Sequence, residues 1–419
     1  MTNMIFPDKK KLIYLLKARI PTEKAHGYQA MKTSEAFINA GVNLEVWIPR
    51  RINSIELSDT PVEEYYQLEN NIPINKMFGF DFIHLVNKLP DYLRFSRLVH
   101  IAALANSVVY YFNVMFKIIG STKNSIYYTR DPILASFLAI FMPDFVKNKL
   151  FVELHALSNT QKRKIRQIKT LSKCAGVITV TSAMRERLIE MGMSPDLILV
   201  EPDSVDLKQF DIPYNKSEAR KKLNLNCDIK IAAFVGKFHT KGEEKGIPEI
   251  LVAASKLVNK YADLHFYFVG GPLERVSKYK EIMSQLGLSA NNIKFVEKRP
   301  VSEIPLWLKS ADILLMPHPY SEFYAFYVSP MKMFEYMSSG RPIVASDLPA
   351  IREVLEHNIN ALLGKPGNPT DIENNISMLL DDENLRNMLS SEAKRTVLHY
   401  TWSNRVKRLI NFIHGNNKN

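Results

Sequence analysis

The stretch from Asp312 to Glu353 constrains this chain most, because its pattern changes from strand to helix and back. Two short apolar runs, Ile313 to Met316 and Ile343 to Ala345, predict buried strands. The sequence SPMKMFEYMSSG between them predicts a helix that opens at Ser329 and Pro330 and ends at the glycine. Strand, helix and strand in this order form a βαβ unit, which is typical of a parallel α/β sheet.

The start of this predicted helix carries groups that suit a phosphate. Ser329 can cap the helix, and Pro330 suits its first turn, where no N–H partner exists. The amides of Met331 and Lys332 are then free to face an anion, and Lys332 adds a cation. Glu335, one turn further in, could accept two vicinal hydroxyls such as those of a ribose. An ordinary capped helix that only packs its apolar side chains would share this local pattern.

The run SPMKMFEYMSSGRPIVASDLPAIRE, which begins at Ser329, resembles almost residue for residue the donor-binding segment of a known group of enzymes. These are the retaining GT-B glycosyltransferases of glycosyltransferase family four. In that family the Glu of this helix holds the nucleotide ribose, and the amides before it hold the donor diphosphate. The resemblance implies these roles for Glu335 and for the turn from Ser329 to Lys332.

One position departs from the pattern of the family. Many members carry a Glu-x7-Glu pair whose first Glu lies at the sugar, and the matching position here is Tyr327. Glu322 is too far upstream to take this place without a rearranged loop. Some relatives with the S-P-x-K-x-F-E-Y form lack the first Glu too, so the departure does not exclude activity.

The length of 419 residues predicts two domains of about 200 residues each. With the resemblance, the expected fold is α/β of the GT-B type, with two doubly wound Rossmann-like domains facing a central cleft. The predicted limits are residues 1–210 for the acceptor-side domain, 211–395 for the nucleotide-sugar domain, and 396–419 for a terminal helix that crosses back to the first domain.

The cysteines and the N-terminus bear on location. Cys174 and Cys227 are far apart and in no metal-ligand spacing, which argues against a disulfide framework and fits a reducing cytoplasm. The first residues show no secretory signal pattern. We therefore expect a cytoplasmic protein, including a position at the inner face of the cell membrane.

The positive charge of the chain is concentrated in its first half. The net charge is +12, and between Asn70 and Arg185 there are 16 basic residues against five acidic ones. Such a surface suits an anionic partner, either an acidic membrane or a lipid-phosphate acceptor. No zinc-finger spacing or aromatic RNA-binding motif accompanies the charge, so we predict no nucleic-acid partner.

Two segments of this basic half could form amphipathic helices. The apolar run from Leu98 to Ile119 is long enough to suggest a membrane span, but its polar residues are expected to line one helix face: His100, Asn106, Asn113 and Lys117. Such a helix would pack against the sheet or lie on a membrane interface, and a span is the least expected option.

The second segment, Gln161 to Lys173, carries six basic residues and three apolar ones on one side. It would form a solvated basic helix or contribute to membrane docking.

In the first domain, the ends of predicted strands supply two candidates. A strand from Leu12 to Leu16 and a helix from Gln29 enclose a loop with Gly27, and the resemblance implies that this glycine faces the donor phosphate. His155 follows a strand and could act near neutral pH, and the resemblance places it beside the transferred sugar. Glu153 is expected on the opposite face of that strand.

In the second domain, a strand from Lys230 to Val235 precedes Gly236 and a lysine-rich loop, which is a phosphate-cradle arrangement. The resemblance implies that Lys237 and Lys245 clamp the diphosphate, with Lys241 as the weaker alternative to Lys245. The loop is longer than is usual in the family.

The expected reaction follows from the resemblance. It implies transfer of a hexosyl group from a UDP- or GDP-sugar to a hydroxyl of a saccharide or lipid-linked saccharide, with retention, in polysaccharide or glycolipid synthesis. The backbone of Arg299 and Val301 is expected to meet the base. No D-x-D-like motif stands at a strand end, so no metal site and no further cofactor are predicted. The alternative is a GT-B protein that binds a nucleotide sugar or a partner without catalysis.

Overall fold

The computed structural model describes residues 10–416 except 54, 91, 92, 94, 122, 123, 159, 241, 273 and 275. These residues form two compact units. The first unit contains the chain up to Val180, Met184–Glu201 and the segment from Trp402 onward, and the second contains Thr181–Ala183 and Pro202–Thr401. The boundaries therefore fall before the expected 210/211 and after the expected 395/396. Residues 1–9 and 417–419 of the expected domains lie outside the described part.

The first unit is built on a seven-stranded parallel sheet with the order β3-β2-β1-β4-β5-β6-β7. Its strands are short apolar runs, and the central ones are buried over their whole length because helices lie on both faces. The strands are β1 (Lys11–Leu15), β2 (Leu44–Pro49), β3 (Ile74–Met77), β4 (Ser125–Thr129), β5 (Leu150–Leu154), β6 (Gly176–Thr179) and β7 (Ile198–Val200).

Helices connect these strands, as parallel pairing requires. They are α1 (Ala25–Asn39), α2 (Ile55–Ser58), α3 (Val62–Tyr66), α4 (Phe82–Asn87), α5 (Ser96–Ile119), α6 (Pro132–Phe141), α7 (Pro143–Lys149), α8 (Gln161–Leu171) and α9 (Ser182–Glu190).

The second unit contains a six-stranded parallel sheet with the order β12-β11-β8-β13-β14-β15, and a separate two-stranded hairpin. The sheet strands are β8 (Lys230–Lys237), β11 (Leu264–Gly271), β12 (Ile293–Val296), β13 (Ile313–Met316), β14 (Ile343–Ser346) and β15 (Leu362–Gly364). The hairpin consists of β9 (His239–Thr240) and β10 (Glu243–Glu244). The additional residues of the lysine-rich loop form this hairpin. Lys241, which belongs to the same loop, lies outside the described residues.

The helices of the second unit cover both faces of its sheet. They are α10 (Leu207–Phe210), α11 (Lys216–Lys222), α12 (Ile247–Lys260), α13 (Val276–Gln285), α14 (Ile304–Ser310), α15 (Glu322–Phe326), α16 (Met331–Ser338), α17 (Pro349–Arg352), α18 (Pro369–Asp381) and α19 (Glu383–Val397). In both sheets every strand runs parallel to its neighbours, so the carboxyl ends of all strands meet at one edge.

The terminal helix α20 (Trp402–Asn416) packs on α1 and β6 of the first unit. Its apolar face repeats at helical spacing, with Val406, Leu409, Ile410 and Ile413 buried.

The structure corrects the expected position of Gly27. The first helix begins at Ala25 rather than Gln29, so Gly27 lies in its first turn and not in a loop. A Cβ at Gly27 would come within 2.3 Å of Thr22 Cγ2 and 2.6 Å of Tyr66 Oη. Glycine is thus required there by close packing with neighbouring segments.

The four polar residues expected on one face of α5 do not share one environment, since His100 is exposed to solvent whereas the others are buried or half-buried. Asn106 is buried and accepts a hydrogen bond from the Phe82 N–H (2.9 Å), and Lys117 Nζ lies 4.4 Å from the centre of the Trp47 ring. These polar groups point into the unit because each finds a partner there, and apolar side chains are left outside. Among the described residues, α5 is the helix long and apolar enough to cross a membrane by length and composition alone, and a third of its most apolar window is buried.

Candidate functional site

The carboxyl edge of the second sheet brings most of the predicted donor-site residues together. The strand β8 continues through Gly236 to Lys237, two residues beyond the predicted end at Val235, because β11 pairs with it to Gly271. Gly236 has a φ of +136°, and the position of a Cβ there lies 3.6 Å from Lys332 Cε. The strand end and the start of α16 are therefore in direct contact.

A second glycine lets the lysine-rich loop approach this edge. Gly246 precedes α12 with a φ of +83°, and a Cβ there would lie 1.8 Å from the carbonyl oxygen of Pro317. Only glycine fits such a position. Lys245, the residue before it, is thereby held close to the end of β13.

The start of α16 differs from the prediction in one respect. Ser329 does not cap the helix, because its Oγ accepts a hydrogen bond from the Asp203 N–H at 2.9 Å, and Pro330 is the N-cap residue. No side chain caps this helix. The amides of Met331 and Lys332 remain available to a ligand, and the helix dipole favours an anion there.

Lys332 is the most unusual residue of this edge. Its Nζ is shielded from solvent and makes no hydrogen bond with any residue that the structure describes, although it lies 3.8 Å from the centre of the Phe234 ring. Burial and then the nearby Lys245 hold the pKa of Lys332 well below its usual value. A buried cation without a hydrogen-bonded anion is costly, and an anionic ligand beside Lys332 would reduce that cost.

Two further groups share this environment. Burial, and then the charge of Lys237, lowers the pKa of Lys245 to about 8. His318, directly after β13, is 2% exposed, and neither of its ring nitrogens has a hydrogen-bond partner among the described residues. Burial and the charges of Lys332 and Lys245 hold the pKa of His318 well below its usual value. The cation cluster is defined here as Lys237, Lys245 and Lys332, and the neutral His318 lies beside it.

Glu335 lies one turn behind Lys332 on α16. Burial raises the pKa of Glu335 to about 7, although the charge of Lys332 acts in the opposite direction. The next residue, Tyr336, fixes the helix to β8: its Oη accepts a hydrogen bond from the Val235 N–H at 2.8 Å and donates one to the Val235 carbonyl at 3.0 Å. This anchor holds Glu335 in register with the strand end.

The position of the missing first Glu is occupied by a buried tyrosine that reaches a carboxylate. The hydroxyl of Tyr327 donates a hydrogen bond of 2.9 Å to Glu322 Oε1. Glu322 opens the short helix α15, which folds the chain back towards Tyr327. Glu322 does not take the place of Tyr327 in the chain, but its carboxylate is within hydrogen-bond distance of the Tyr327 side chain.

The residues expected at the nucleotide base lie at the same edge but apart from the cation cluster. Arg299 follows β12, the outermost strand, and its guanidinium pairs with Glu303 at 2.8 Å. Val301 is exposed at the start of a short 3₁₀ helix. β11 separates β12 from β8, so these residues follow a strand that is two positions away from β8 in the sheet.

In the first unit, His155 belongs to a buried charge network. His155 Nε2 lies 2.5 Å from Glu153 Oε1 and 3.0 Å from Arg130 Nε. The prediction that Glu153 faces away is wrong, because residues two apart in a strand share a face. Glu153 is also bonded by Arg405 at 2.6 Å and by Gln29 at 2.8 Å.

These partners determine the charge of Glu153. Burial alone would raise the pKa of its carboxyl, but Arg405 and then His155 keep that pKa well below its usual value. Arg405 comes from α20, so the terminal helix completes the network around His155. The sequence analysis did not identify Arg405 or His318. His318 could have been found because it follows the predicted strand that ends at Met316, whereas no local pattern indicated Arg405.

Comparisons with known proteins find similar sequences and similar folds. Residues 229–382, all within the second unit, match the family model described as Glycosyl transferases group 1. An uncharacterized glycosyltransferase of Methanocaldococcus jannaschii is 25% identical over 58% of this chain and 60% of its own length. The N,N'-diacetylbacillosaminyl-diphospho-undecaprenol alpha-1,3-N-acetylgalactosaminyltransferase of Campylobacter jejuni is 28% identical over 53% of this chain and 56% of its own length. The match thus spans between half and three-fifths of these curated relatives.

Among solved structures, HepE of Anabaena in complex with UDP superposes with a TM-score of 0.71, covering 97% of this chain and 100% of that chain at 16% identity. A sucrose-phosphate synthase of Thermosynechococcus elongatus gives a TM-score of 0.72 at 15% identity, covering 97% of this chain and 99% of that chain. The prediction of the GT-B class is confirmed: the chain has the two-domain α/β fold of the GT-B glycosyltransferases, and its second unit carries the segment similar to glycosyl transferases group 1.

Proposed function

We propose that the protein is a glycosyltransferase that moves a sugar from a nucleotide diphosphate sugar to the hydroxyl of an acceptor. The observation that carries this proposal is the buried Lys332 Nζ, which has no hydrogen-bond partner among the described residues and lies at the uncapped start of α16. Because Lys245 is the charge that acts most strongly on Lys332, an anion bound here would offset the cost of both lysines. The match to glycosyl transferases group 1 covers the same residues.

In this proposal the diphosphate of the donor occupies the cation cluster. Lys332, Lys245 and Lys237 neutralise the charge that develops on the leaving phosphate, and the amides of Met331 and Lys332 donate hydrogen bonds to it. Glu335 in its ionised form accepts hydrogen bonds from the ribose hydroxyls. A UDP-sugar is the proposed donor, since HepE of the same fold was solved with UDP; a GDP-sugar is the alternative.

We propose transfer with retention by a front-face route. The bond between the anomeric carbon and the phosphate oxygen breaks, the acceptor oxygen bonds to the same face of that carbon, and the departing phosphate takes the acceptor proton. Charge neutralisation by lysines makes a metal ion unnecessary in this scheme. His155 is proposed beside the transferred sugar, the backbone of Gly27 near the donor phosphate despite its packing role, and the backbone of Arg299 and Val301 near the base.

The acceptor is proposed to be a saccharide or a lipid-linked saccharide, as in polysaccharide or glycolipid synthesis. The Campylobacter relative, whose name states a diphospho-undecaprenol acceptor, supports a lipid-linked one. A cytoplasmic site of action accords with two thiols that form no disulfide.

The competing proposal is a GT-B protein that binds a nucleotide sugar without turnover, and Tyr327 in place of the first Glu favours it. Release of UDP from UDP-sugars, measured with and without candidate acceptors, separates the two. We expect release that depends on acceptor, and Glu322→Gln to lower the rate while leaving UDP binding unchanged. UDP binding without release under any acceptor would instead support the competing proposal.

A further inference from the structure

The outer face of α5 is a continuous apolar stripe. Six large side chains at spacings of three and four residues are 38% to 66% exposed: Ile101, Leu104, Val108, Phe112, Phe116 and Ile119. This spacing places them on one side of a helix. The outer face of α5 is therefore apolar along its length, the reverse of a surface helix in a soluble protein.

The neighbouring helix α6 extends this stripe. Ile133, Ile140 and Phe141 are 54% to 74% exposed, and the ring of Phe112 lies 6.3 Å from that of Phe141. We call these nine exposed side chains of α5 and α6 the apolar ridge. Contiguous apolar patches on soluble monomers rarely exceed a few hundred Å². Larger patches usually mark a surface that binds a partner or a membrane.

Cations border the apolar ridge. The helix α8 packs on α6, and its exposed residues include Lys162, Arg163, Arg166 and Lys169. None of the helices α5, α6 and α8 contains an aspartate or a glutamate. An apolar surface beside cations of one sign complements a layer whose headgroups are negative and whose interior is hydrocarbon.

The inner face of α5 is fixed to the sheet, so this helix cannot cross a bilayer while the unit is folded. Tyr110 Oη donates a hydrogen bond of 2.8 Å to the Trp47 carbonyl, and Tyr111 Oη donates one of 2.7 Å to Asp131. The helix therefore lies along the sheet and offers one face only. A helix in this state suits an interfacial position parallel to the membrane plane.

We propose that the apolar ridge and the basic residues of α8 dock the first unit on an anionic lipid bilayer. The cations pair with acidic headgroups, and the ridge enters the boundary between headgroups and acyl chains. A second copy of the chain is a poorer partner, because a two-fold interface through this face would bring the α8 cations of both copies together. The proposal needs no glycosyl transfer, so it can fail or hold independently of the proposed activity.

Vesicle sedimentation tests the docking surface. We expect the protein to bind vesicles of phosphatidylcholine with 30% phosphatidylglycerol, as about a tenfold preference over pure phosphatidylcholine that weakens at high salt. The double variant Ile101→Asp/Phe116→Asp should lose vesicle binding by at least tenfold, while its UDP-induced thermal shift stays unchanged. Since both residues are exposed, the variant should unfold at the same temperature as the parent protein.

Charge variants provide the matched control. Changing Lys162, Arg163, Lys164 and Arg166 to Gln should remove the preference for phosphatidylglycerol. Changing Lys221, Lys222, Lys278 and Lys280 to Gln removes four exposed cations of the second unit and should leave the preference intact. Equal losses from both sets would overturn the assigned surface, as would vesicle binding that survives the ridge substitutions.

A tryptophan probe tests insertion directly. The three native tryptophans are buried, so Phe116→Trp adds an exposed indole at the ridge, and Leu398→Trp adds one in the second unit as a control. With anionic vesicles, the emission of Phe116→Trp should shift to the blue and be quenched by brominated acyl chains, whereas Leu398→Trp should not respond. An unresponsive Phe116→Trp, or a lipid-independent dimer abolished by the ridge substitutions, would overturn the proposal.

Discussion

The two units each contain a buried group of charges, and these groups differ in whether the protein satisfies them. In the first unit, Glu153 is surrounded by Arg405, His155 and Gln29, and its charge is compensated from several sides. In the second unit, Lys332 interacts more strongly with Lys245 than with the carboxyl of Glu335, and its Nζ has no hydrogen bond among the described residues. The first arrangement stabilises the folded chain. The second destabilises the ligand-free protein and favours binding of an anion.

Because of this difference, neutralising a charged residue should change the free energy of unfolding in opposite directions in the two units. Removing a member of the satisfied network leaves its partners without a counter-charge, which destabilises the fold. Replacing the unsatisfied cation by an apolar residue should stabilise the ligand-free protein and lower its affinity for the ligand.

The largest expected effect is on folding, at Glu153. Glu153→Gln should lower the free energy of unfolding by about 3 to 5 kcal/mol at pH 7, because Arg405 is left buried without its anion. Because the pKa of Glu153 is lowered in the folded state, its stabilising contribution is complete above the usual carboxyl pKa and is lost as pH falls towards the folded value. Urea unfolding at pH 7 measures the loss, and Glu392→Gln, in an exposed pair with Arg395, serves as control. If Glu153→Gln loses no more unfolding free energy than Glu392→Gln, the Glu153 network does not stabilise the fold and the contrast between the two units is wrong.

Lys332 is expected to give the opposite result. Lys332→Met should raise the unfolding temperature of the ligand-free protein and weaken UDP binding by about 1.5 to 3 kcal/mol, the range for hydrogen bonds to charged groups. Lys256→Met, which removes a mostly exposed lysine paired with Glu373, should change neither quantity. Calorimetric titration and thermal unfolding check both. A less stable protein with unchanged UDP affinity would show that Lys332 has a structural role only.

Glu335 is a buried carboxylate whose charge, like that of Lys332, is expected to destabilise the ligand-free protein. Its pKa of about 7 lies above the usual value, so the folded state favours the protonated form and loses stability as pH rises from about 4.5 through 7. Glu335→Gln should therefore unfold at higher urea than the parent at pH 8, by on the order of 2 kcal/mol, with no gain at pH 4.5. UDP should bind the variant more weakly than the parent, whereas 2′-deoxy-UDP should discriminate little between them. Equal losses for the two nucleotides would remove Glu335 from the ribose.

The smallest expected effect is the pH dependence from Lys245. Because its pKa is about 8 in the empty site, UDP affinity should fall by about tenfold as pH rises from 7 to 9 and Lys245 loses its charge. Lys245→Gln should bind UDP more weakly at pH 7 and show a flatter profile. The same slope in the parent and the variant would assign the pH dependence to another group.

The sequence predicted the parts of this molecule that depend on local pattern. The apolar runs identified β8 and β13, and both the residues after β8, such as Gly236, and the helix after β13, which carries Lys332 and Glu335, were expected at the edge where the strands end. These features follow from periodicity and from the parallel geometry of the sheet.

The remaining features depend on contacts between distant segments, which one sequence does not display. Ser329 meets Asp203, which is 126 positions away in sequence, so the predicted cap is not formed. Arg405 reaches Glu153 across 252 positions. The packing of α5 against the unit, and not the pattern of the helix itself, determines that Asn106 is buried while His100 is exposed.

The central claim is that the cation cluster holds a diphosphate, and it is tested most directly by titrating uridine, UMP and UDP into the parent protein and Lys332→Met. We expect the affinity of the parent to rise steeply from uridine to UDP, and Lys332→Met to reduce this rise by about 1.5 to 3 kcal/mol, the range for one charged contact, while uridine binds both proteins alike. An equal rise in both proteins, or equal affinity of the parent for uridine and UDP, would contradict it.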